Sequence, residues 1–249
     1  MNFHFAGMDG SLWLEKLFHS CNAKNRLESF WSLGPKNWPT QTMNSLVDSG
    51  GFVARTKGVK ILVQEYSRYL RKYKVPKAFE LDTNDMQETA YNRDYLIKNT
   101  ETLIIPIYHY STFKSGNEKF LFDLMDKHNY IGLGGVVGGA VKSTRREKDE
   151  FFDFVFRNTR DKWKIHGLGI TDPYSMKRYP FFSVDSSQWL DSWKFAKFEG
   201  IKTGTEYHEF MKKNKPIEFK LKREISHRVF LEHYITKLWE IKGVTWNTL

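Results

Sequence analysis

Short apolar runs of β character alternate with stretches of helical period along most of this chain, and that alternation constrains the fold more than any other feature. Candidate strands fall at residues 2–5, 27–31, 45–48, 77–81, 103–108, 130–133, 164–168 and 181–184. Between the first two, Leu12, Leu14, Leu17 and Phe18 form an apolar stripe after Asp9 and Ser11, both suited to cap a helix. Val59, Leu62, Val63, Tyr66 and Leu70 repeat the helical spacing, and further helices are predicted over 85–99, 117–128, 144–160 and 221–241. Strands separated by helices pair in parallel, because the crossover carries the chain back to the same end of the sheet. About eight such units in 249 residues predict an α/β fold of the TIM type, a (β/α)8 barrel, with a doubly wound sheet as the alternative. The connection over 31–45 contains "LGPKNWPTQT" and has no room for a regular helix, so the predicted barrel is irregular there. With no internal repeat and no linker, residues 1–249 read as a single domain, in which 188–249 form a helical, basic and aromatic C-terminal segment that closes the barrel.

In a parallel barrel, ligands gather at the C-terminal ends of the strands, so the residues just after each strand bear on function. The third candidate strand ends in Asp48-Ser49-Gly50-Gly51 and the fourth, "AFELD", in Asp82. The fifth ends in Tyr108-His109, the sixth runs into "GLGGVVGG", the seventh into "HGLGIT", and the eighth, "FFSVDSSQW", ends in Asp185. Three carboxylates are thereby predicted on one rim. An Asp after a strand is also an ordinary helix cap, and "DTND" at 82–85 looks like a helix start by itself. The glycines of "GLGGVVGG" fit a tight strand-to-helix turn; without a Lys-Ser/Thr ending they are no P-loop. His109 and His166 stand alone in sequence and read equally as structural groups.

Lys and Arg number 39 against 29 Asp and Glu, a formal charge of +10 that favours polyanionic partners. Over 188–223, Trp189, Trp193, Phe195, Phe198, Tyr207 and Phe210 interleave with Lys194, Lys197, Lys212, Lys213 and Lys215. Aromatic faces beside cations suit a nucleic-acid surface, while core aromatics beneath a solvated lysine face fit the same pattern. The single Cys21 excludes an internal disulfide framework and a multi-cysteine zinc site, and with the many Lys and Arg residues it fits a reducing cytoplasm; no metal and no cofactor are expected. "MNFHFAGMDG" does not read as a secretory signal, and no apolar run approaches the roughly 18 residues of a membrane span. A soluble protein without a membrane partner is expected.

"VDSGGF" at 47–52, "ELD" ending at Asp82, "GLGGVVGG" at 132–139, "HGLGIT" at 166–171 and "SVDSSQW" at 183–189 occur in the order and spacing of the tRNA-guanine transglycosylase superfamily. Within it the chain most resembles the short, phage-encoded members that insert 7-deazaguanine bases into DNA, which places it in the host cytoplasm. The resemblance covers most of the first 190 residues. It implies a (β/α)8 barrel, agreeing with the strand pattern, and the exchange of guanine for a 7-deazaguanine such as 7-cyano-7-deazaguanine, with DNA and the free base as partners.

By the same resemblance Asp185 is the nucleophile that attacks C1′ and holds the sugar as a covalent glycosyl-enzyme, in two displacements like those of a retaining glycosidase. Asp48 is the general acid/base, and Asp82 accepts from the amino and ring N–H edge of the purine. Gly134, Gly135 and Val136 match the segment that approaches the 7-substituent, Ser49 and Phe52 flank the pocket, and His109 stands at a base-recognition position. Lys194, Lys197, Lys212, Lys213 and Lys215 are assigned to the nucleic-acid backbone. A base so bound must leave its stack.

The chain also departs from the tRNA-acting members. Val53 stands where they carry Gln, Tyr108-His109 where they carry Gln-Gly, and their Pro-Thr-Arg segment is missing after Asp185. They hold a structural zinc through several cysteines near the C-terminus, which one cysteine at position 21 cannot supply, so no zinc subdomain is expected. A zinc-free enzyme acting on tRNA and an inactive nucleic-acid-binding barrel are the alternatives.

Overall fold

The computed structural model describes residues 1–7, 16–18, 20–21, 23–33, 44–136, 143–187, 197–198, 201–202, 231–232, 235–236, 238–241 and 244–246. Nine strands form one sheet: β1 (Asn2–Ala6), β2 (Asn25–Ser29), β3 (Asn44–Asp48), β4 (Lys77–Phe79), β5 (Leu103–Ile105), β6 (Ile107–His109), β7 (Tyr130–Gly134), β8 (Lys164–Gly167) and β9 (Ser183–Ser186). Their order is β5-β4-β3-β2-β1-β9-β8-β7-β6, and every neighbouring pair is parallel.

The two ends of that order, β5 and β6, are halves of one run interrupted by Pro106, so the sheet all but closes into a barrel. Proline has no N–H for the ladder, and the chain shifts from one neighbour to the other at that point. Glu80 N–H donates to Ile105 O (3.0 Å) and Gly132 N–H to Pro106 O (2.8 Å), which keeps both sides paired across the break. The Ile107 N–H is taken by Glu80 Oε1 at 2.7 Å, while Arg93 Nη1 meets Glu80 Oε2 at 2.9 Å. A buried Glu-Arg pair thus closes the seam where backbone alone would leave a donor unpaired. Burial pushes the Glu80 carboxyl up to about 7 against the opposing pull of Arg93 and the Ile107 N–H.

Side chains alternate across this sheet with the period of two that strands impose. Ala6, Leu27, Leu46, Phe79, Ile105, Ile107 and Tyr130 form the cluster inside the barrel. Phe3, Phe5, Tyr108, Ile131, Leu133, Ile165 and Val184 pack with Phe151, Phe152 and Val155 of the helix Arg145–Thr159. Val47, Ala78 and Ile104 pack beneath Tyr66, Tyr69 and Leu70 of the helix Val63–Lys72. Leu231 and Leu238 join the first of these outer layers, Trp246 stacks edge-on with Phe3, and the N-terminal ammonium donates to Thr245 O at 2.7 Å. The C-terminal stretch is therefore anchored against β1 at these points.

All eight predicted strands are present, with shifts that matter for the site. The run predicted as 27–31 is β2 at Asn25–Ser29, and Phe30–Leu33 turns into a short helix whose Phe30 ring packs on Tyr66 and Tyr69 at 5.1 and 5.0 Å. The last strand runs to Ser186, so Asp185 lies within β9 and not beyond it. The helix predicted over 117–128 is the shorter Lys119–Met125, and those over 85–99 and 144–160 are Met86–Asn99 and Arg145–Thr159, capped by Asp85 and by a Thr144/Glu147 capping box. Most of the stretch predicted as a helix over 221–241, and residues 34–43 of the irregular connection, lie outside the described residues. Lys197–Phe198 and Ile201–Lys202 pair as a small antiparallel ribbon.

Candidate active site

Asp48 closes β3 inside the barrel mouth, and the turn after it is built by its own glycines. Gly50 adopts a left-handed backbone (φ 71°) and donates its N–H to Asp48 Oδ2 at 3.0 Å, while Gly51 N–H donates to the buried Ser49 Oγ at 3.2 Å. A Cβ on Gly50 would sit 2.4 Å from Trp31 Cβ, and one on Gly51 would sit 3.0 Å from Asp82 O. Gly50 therefore requires glycine, and Gly51 is tightly enclosed, for reasons internal to the protein. The helix Gly51–Thr56 starts here and carries Phe52 outward, 53 % exposed, to the surface.

That helix also supplies Arg55, which grips the loop after β4. Its Nη1 donates to Asp82 O and its Nη2 lies 3.3 Å from Asp82 Oδ2. His109, the last residue of β6, brings Nε2 to 3.2 Å from the same Oδ2, off the line of a good hydrogen bond. The loop is pinned from behind by Asn92 Nδ2 donating to Leu81 O (3.1 Å) and Thr83 N–H donating to Thr89 Oγ1 (2.8 Å). The helix cap in "DTND" is Asp85, which accepts from Gln87 and Glu88 N–H, so Asp82 is released from that role.

Asp185 reaches the mouth from β9 and is held through one oxygen. His166 Nε2 (3.0 Å) and Gly169 N–H (2.9 Å) both meet Oδ1. Behind it, His166 Nδ1 lies 2.7 Å from Ser183 Oγ, and Ser183 Oγ lies 2.7 Å from the Tyr130 hydroxyl. His4 faces His166 across the interior at 5.8 Å between ring centroids. Burial, with His166 and Lys77 nearby, holds His4 well below the usual histidine range, so it is uncharged.

Two of the three aspartates share a pattern. Among the described residues, hydrogen bonds and ion pairs reach Oδ2 of Asp82 and Oδ1 of Asp185, whose other oxygens carry no such contact, while the Asp48 carboxyl takes the backbone N–H of Gly50 at Oδ2 and that of Ser49. Asp82 and Asp185 are thus fixed in place with one oxygen still able to accept. Burial, then the neighbouring Asp82 charge, and more weakly Asp185, push the Asp48 carboxyl up to about 7. Burial also opposes ionisation of Asp82, but His109 and Arg55 outweigh it and hold that carboxyl below the usual range. One carboxyl is thus poised to give and take a proton near neutrality beside another that stays anionic.

Of the remaining predicted residues, Gly134 makes room for His109: a Cβ there would stand 3.1 Å from the imidazole Nδ1. Gly135 is left-handed (φ 79°), and Val136 is buried in the outer layer under the helix Arg145–Thr159, away from the interior cluster. Lys197 lies on the small ribbon, whereas Lys194, Lys212, Lys213 and Lys215 lie outside the described residues. A cleft of about 460 Å³ opens beside the mouth, lined by Gly51, Arg55, Val59, Ile61, Leu81 and Asp82. Among the described residues no cluster of His, Cys, Asp or Glu has the makings of a metal site, and no helix is long and apolar enough to cross a membrane.

Arg55, Ser183 and Tyr130 are site residues that the sequence pattern did not single out, and His166 gains a partner that its position in the sequence does not show. Fold and site together define a parallel α/β barrel with a carboxylate-lined mouth at the C-terminal ends of its strands. No model of a known protein family and no curated protein matches this chain.

Proposed function

We propose that this chain is a base-exchange transglycosylase that replaces guanine in DNA with a 7-deazaguanine through a covalent Asp185-glycosyl intermediate. The observation that carries the reading is the division of labour among the carboxylates: Asp48 raised to about 7, Asp82 held anionic by His109 and Arg55, and Asp185 anchored through Oδ1 alone.

In this reading Asp185 Oδ2 attacks C1′ as the bond from C1′ to guanine breaks, and Asp48 passes its proton to the leaving base. The incoming deazaguanine then loses a ring proton to Asp48 and attacks C1′, and the bond from C1′ to Asp185 breaks. Configuration is kept by two inversions, and no proton or electron pair is left over. The proton shuttle contributes about 10²–10⁴-fold in rate, most efficiently when its pKa lies near the working pH. Asp82 Oδ1 accepts from the amino and ring N–H edge of the purine. The +10 charge favours a polyanionic substrate, and a target base must leave its stack to reach the mouth.

Incubation with DNA and free 7-cyano-7-deazaguanine, then digestion to nucleosides, tests the reading. The deazaguanine deoxynucleoside is expected. Its appearance only with tRNA reassigns the substrate, and its absence with both nucleic acids overturns the enzymatic claim.

A further inference from the structure

We infer that His166 is the positioning residue of Asp185, the near end of a one-directional hydrogen-bond chain from Tyr130 through Ser183 that pins Oδ1 and leaves Oδ2 to react. The catalytic part of this inference rests on the base-exchange reading; the polarity of the chain does not.

Two chemical facts set the direction. Asp185 Oδ1 already takes the Gly169 N–H at 2.9 Å, so as a carboxylate oxygen it accepts at His166 also, and Nε2 carries the hydrogen. In the neutral imidazole Nδ1 then holds the lone pair and accepts from Ser183 at 2.7 Å. Ser183 has one hydroxyl hydrogen, already committed to His166, so Tyr130 donates to Ser183 Oγ at 2.7 Å. Burial raises the Tyr130 hydroxyl to about 12, which keeps it a donor.

The imidazole has little freedom to turn. His166 and Ser183 are fully buried, and the ring lies between Phe79 at 5.0 Å and His4 at 5.8 Å. Reversing the chain would place an Nε2 lone pair against Asp185 Oδ1 at 3.0 Å, which is repulsive. With one ring hydrogen the imidazole is therefore committed to a single tautomer, and that tautomer orients the carboxylate.

The test uses full-length protein labelled with ¹⁵N-histidine, with His166 assigned by its loss in His166→Asn. Nε2 protonated and Nδ1 bare are expected at neutral pH, with Ser183→Ala giving mixed protonation at Nδ1. Single-turnover formation of the sugar adduct is expected to slow about tenfold in Ser183→Ala and in Tyr130→Phe, the size of one intramolecular hydrogen bond expressed in a barrier, with the affinity for free base unchanged. A protonated Nδ1 in the wild type overturns the inference, as does adduct formation at the wild-type rate in both variants. If the wild type forms no adduct, the base-exchange reading falls, and the tautomer with its response to Ser183→Ala decides the chain alone.

Discussion

Arg55 holds Asp82 at two points, its backbone carbonyl and its Oδ2, the latter at 3.3 Å, from a helix that begins three residues after Asp48. The loop after β3 and the loop after β4 are therefore tied together by one guanidinium. Arg55→Met is expected to weaken binding of free guanine at least tenfold, since about 1.4 kcal/mol is lost with one charged hydrogen bond. Equilibrium titration with guanine checks this. The wild-type affinity should stay flat down to the ordinary carboxylate range, because Arg55 and His109 keep Asp82 ionised, and the variant's affinity should fall off at higher pH than that of the wild type.

Asp48 gives activity and stability linked pH dependences. Its folded-state pKa of about 7 lies above the ordinary carboxyl value, so the folded state resists its ionisation. Stability is lost as pH rises from the unfolded pKa of about 4 to the folded one near 7, and stays lower above that. Asp48→Asn removes the cost and is expected to unfold at higher denaturant at pH 8, by on the order of 2 kcal/mol, with no such gain at pH 3. Urea melts at the two pH values measure it. On the proposed base-exchange reading the same substitution is expected to abolish exchange, and the wild-type rate to show an inflection near pH 7.

The Glu80-Arg93 pair closes the barrel seam at Pro106. Arg93→Met removes the cation that opposes burial at Glu80, so the carboxyl, already raised to about 7, takes up a proton at neutral pH, and the fold should lose about 1–3 kcal/mol with the charged hydrogen bond. Glu80→Gln keeps an acceptor for the Ile107 N–H and should cost less. Chemical denaturation of the two variants at neutral pH ranks them.

Gly134 is the space in which His109 stands. Gly134→Ala brings a methyl group to 3.1 Å from the imidazole and 3.0 Å from Ile107, so these side chains must give by a few tenths of an ångström, which disturbs the seating of His109 beside Asp82. The expected outcome is weaker purine binding with the barrel intact, read by base titration beside circular dichroism.

The barrel was legible in the sequence because its strands are short apolar runs broken by helical stretches, a pattern that the parallel sheet itself requires. The boundary at 27–31 slipped because Phe30 and Trp31 continue the apolar run of β2, and periodicity alone does not separate a strand end from a short helix. "DTND" hid a choice between two aspartates; only the hydrogen bonds give the cap to Asp85 and free Asp82. The glycines of "DSGG" were visible, but their cause was not: Trp31 and the Asp82 carbonyl crowd them from other parts of the chain. Arg55 and Tyr130 were invisible as site residues because their partners lie 27 and 53 residues away, and nothing local marks them.

The most direct measurement of the central claim is peptide mapping by mass spectrometry after the protein is quenched in the presence of guanine-containing DNA. A deoxyribose-linked adduct on Asp185, absent in Asp185→Ala and released by free 7-deazaguanine, is expected. An adduct on another residue, or base exchange that continues in Asp185→Ala, contradicts the claim.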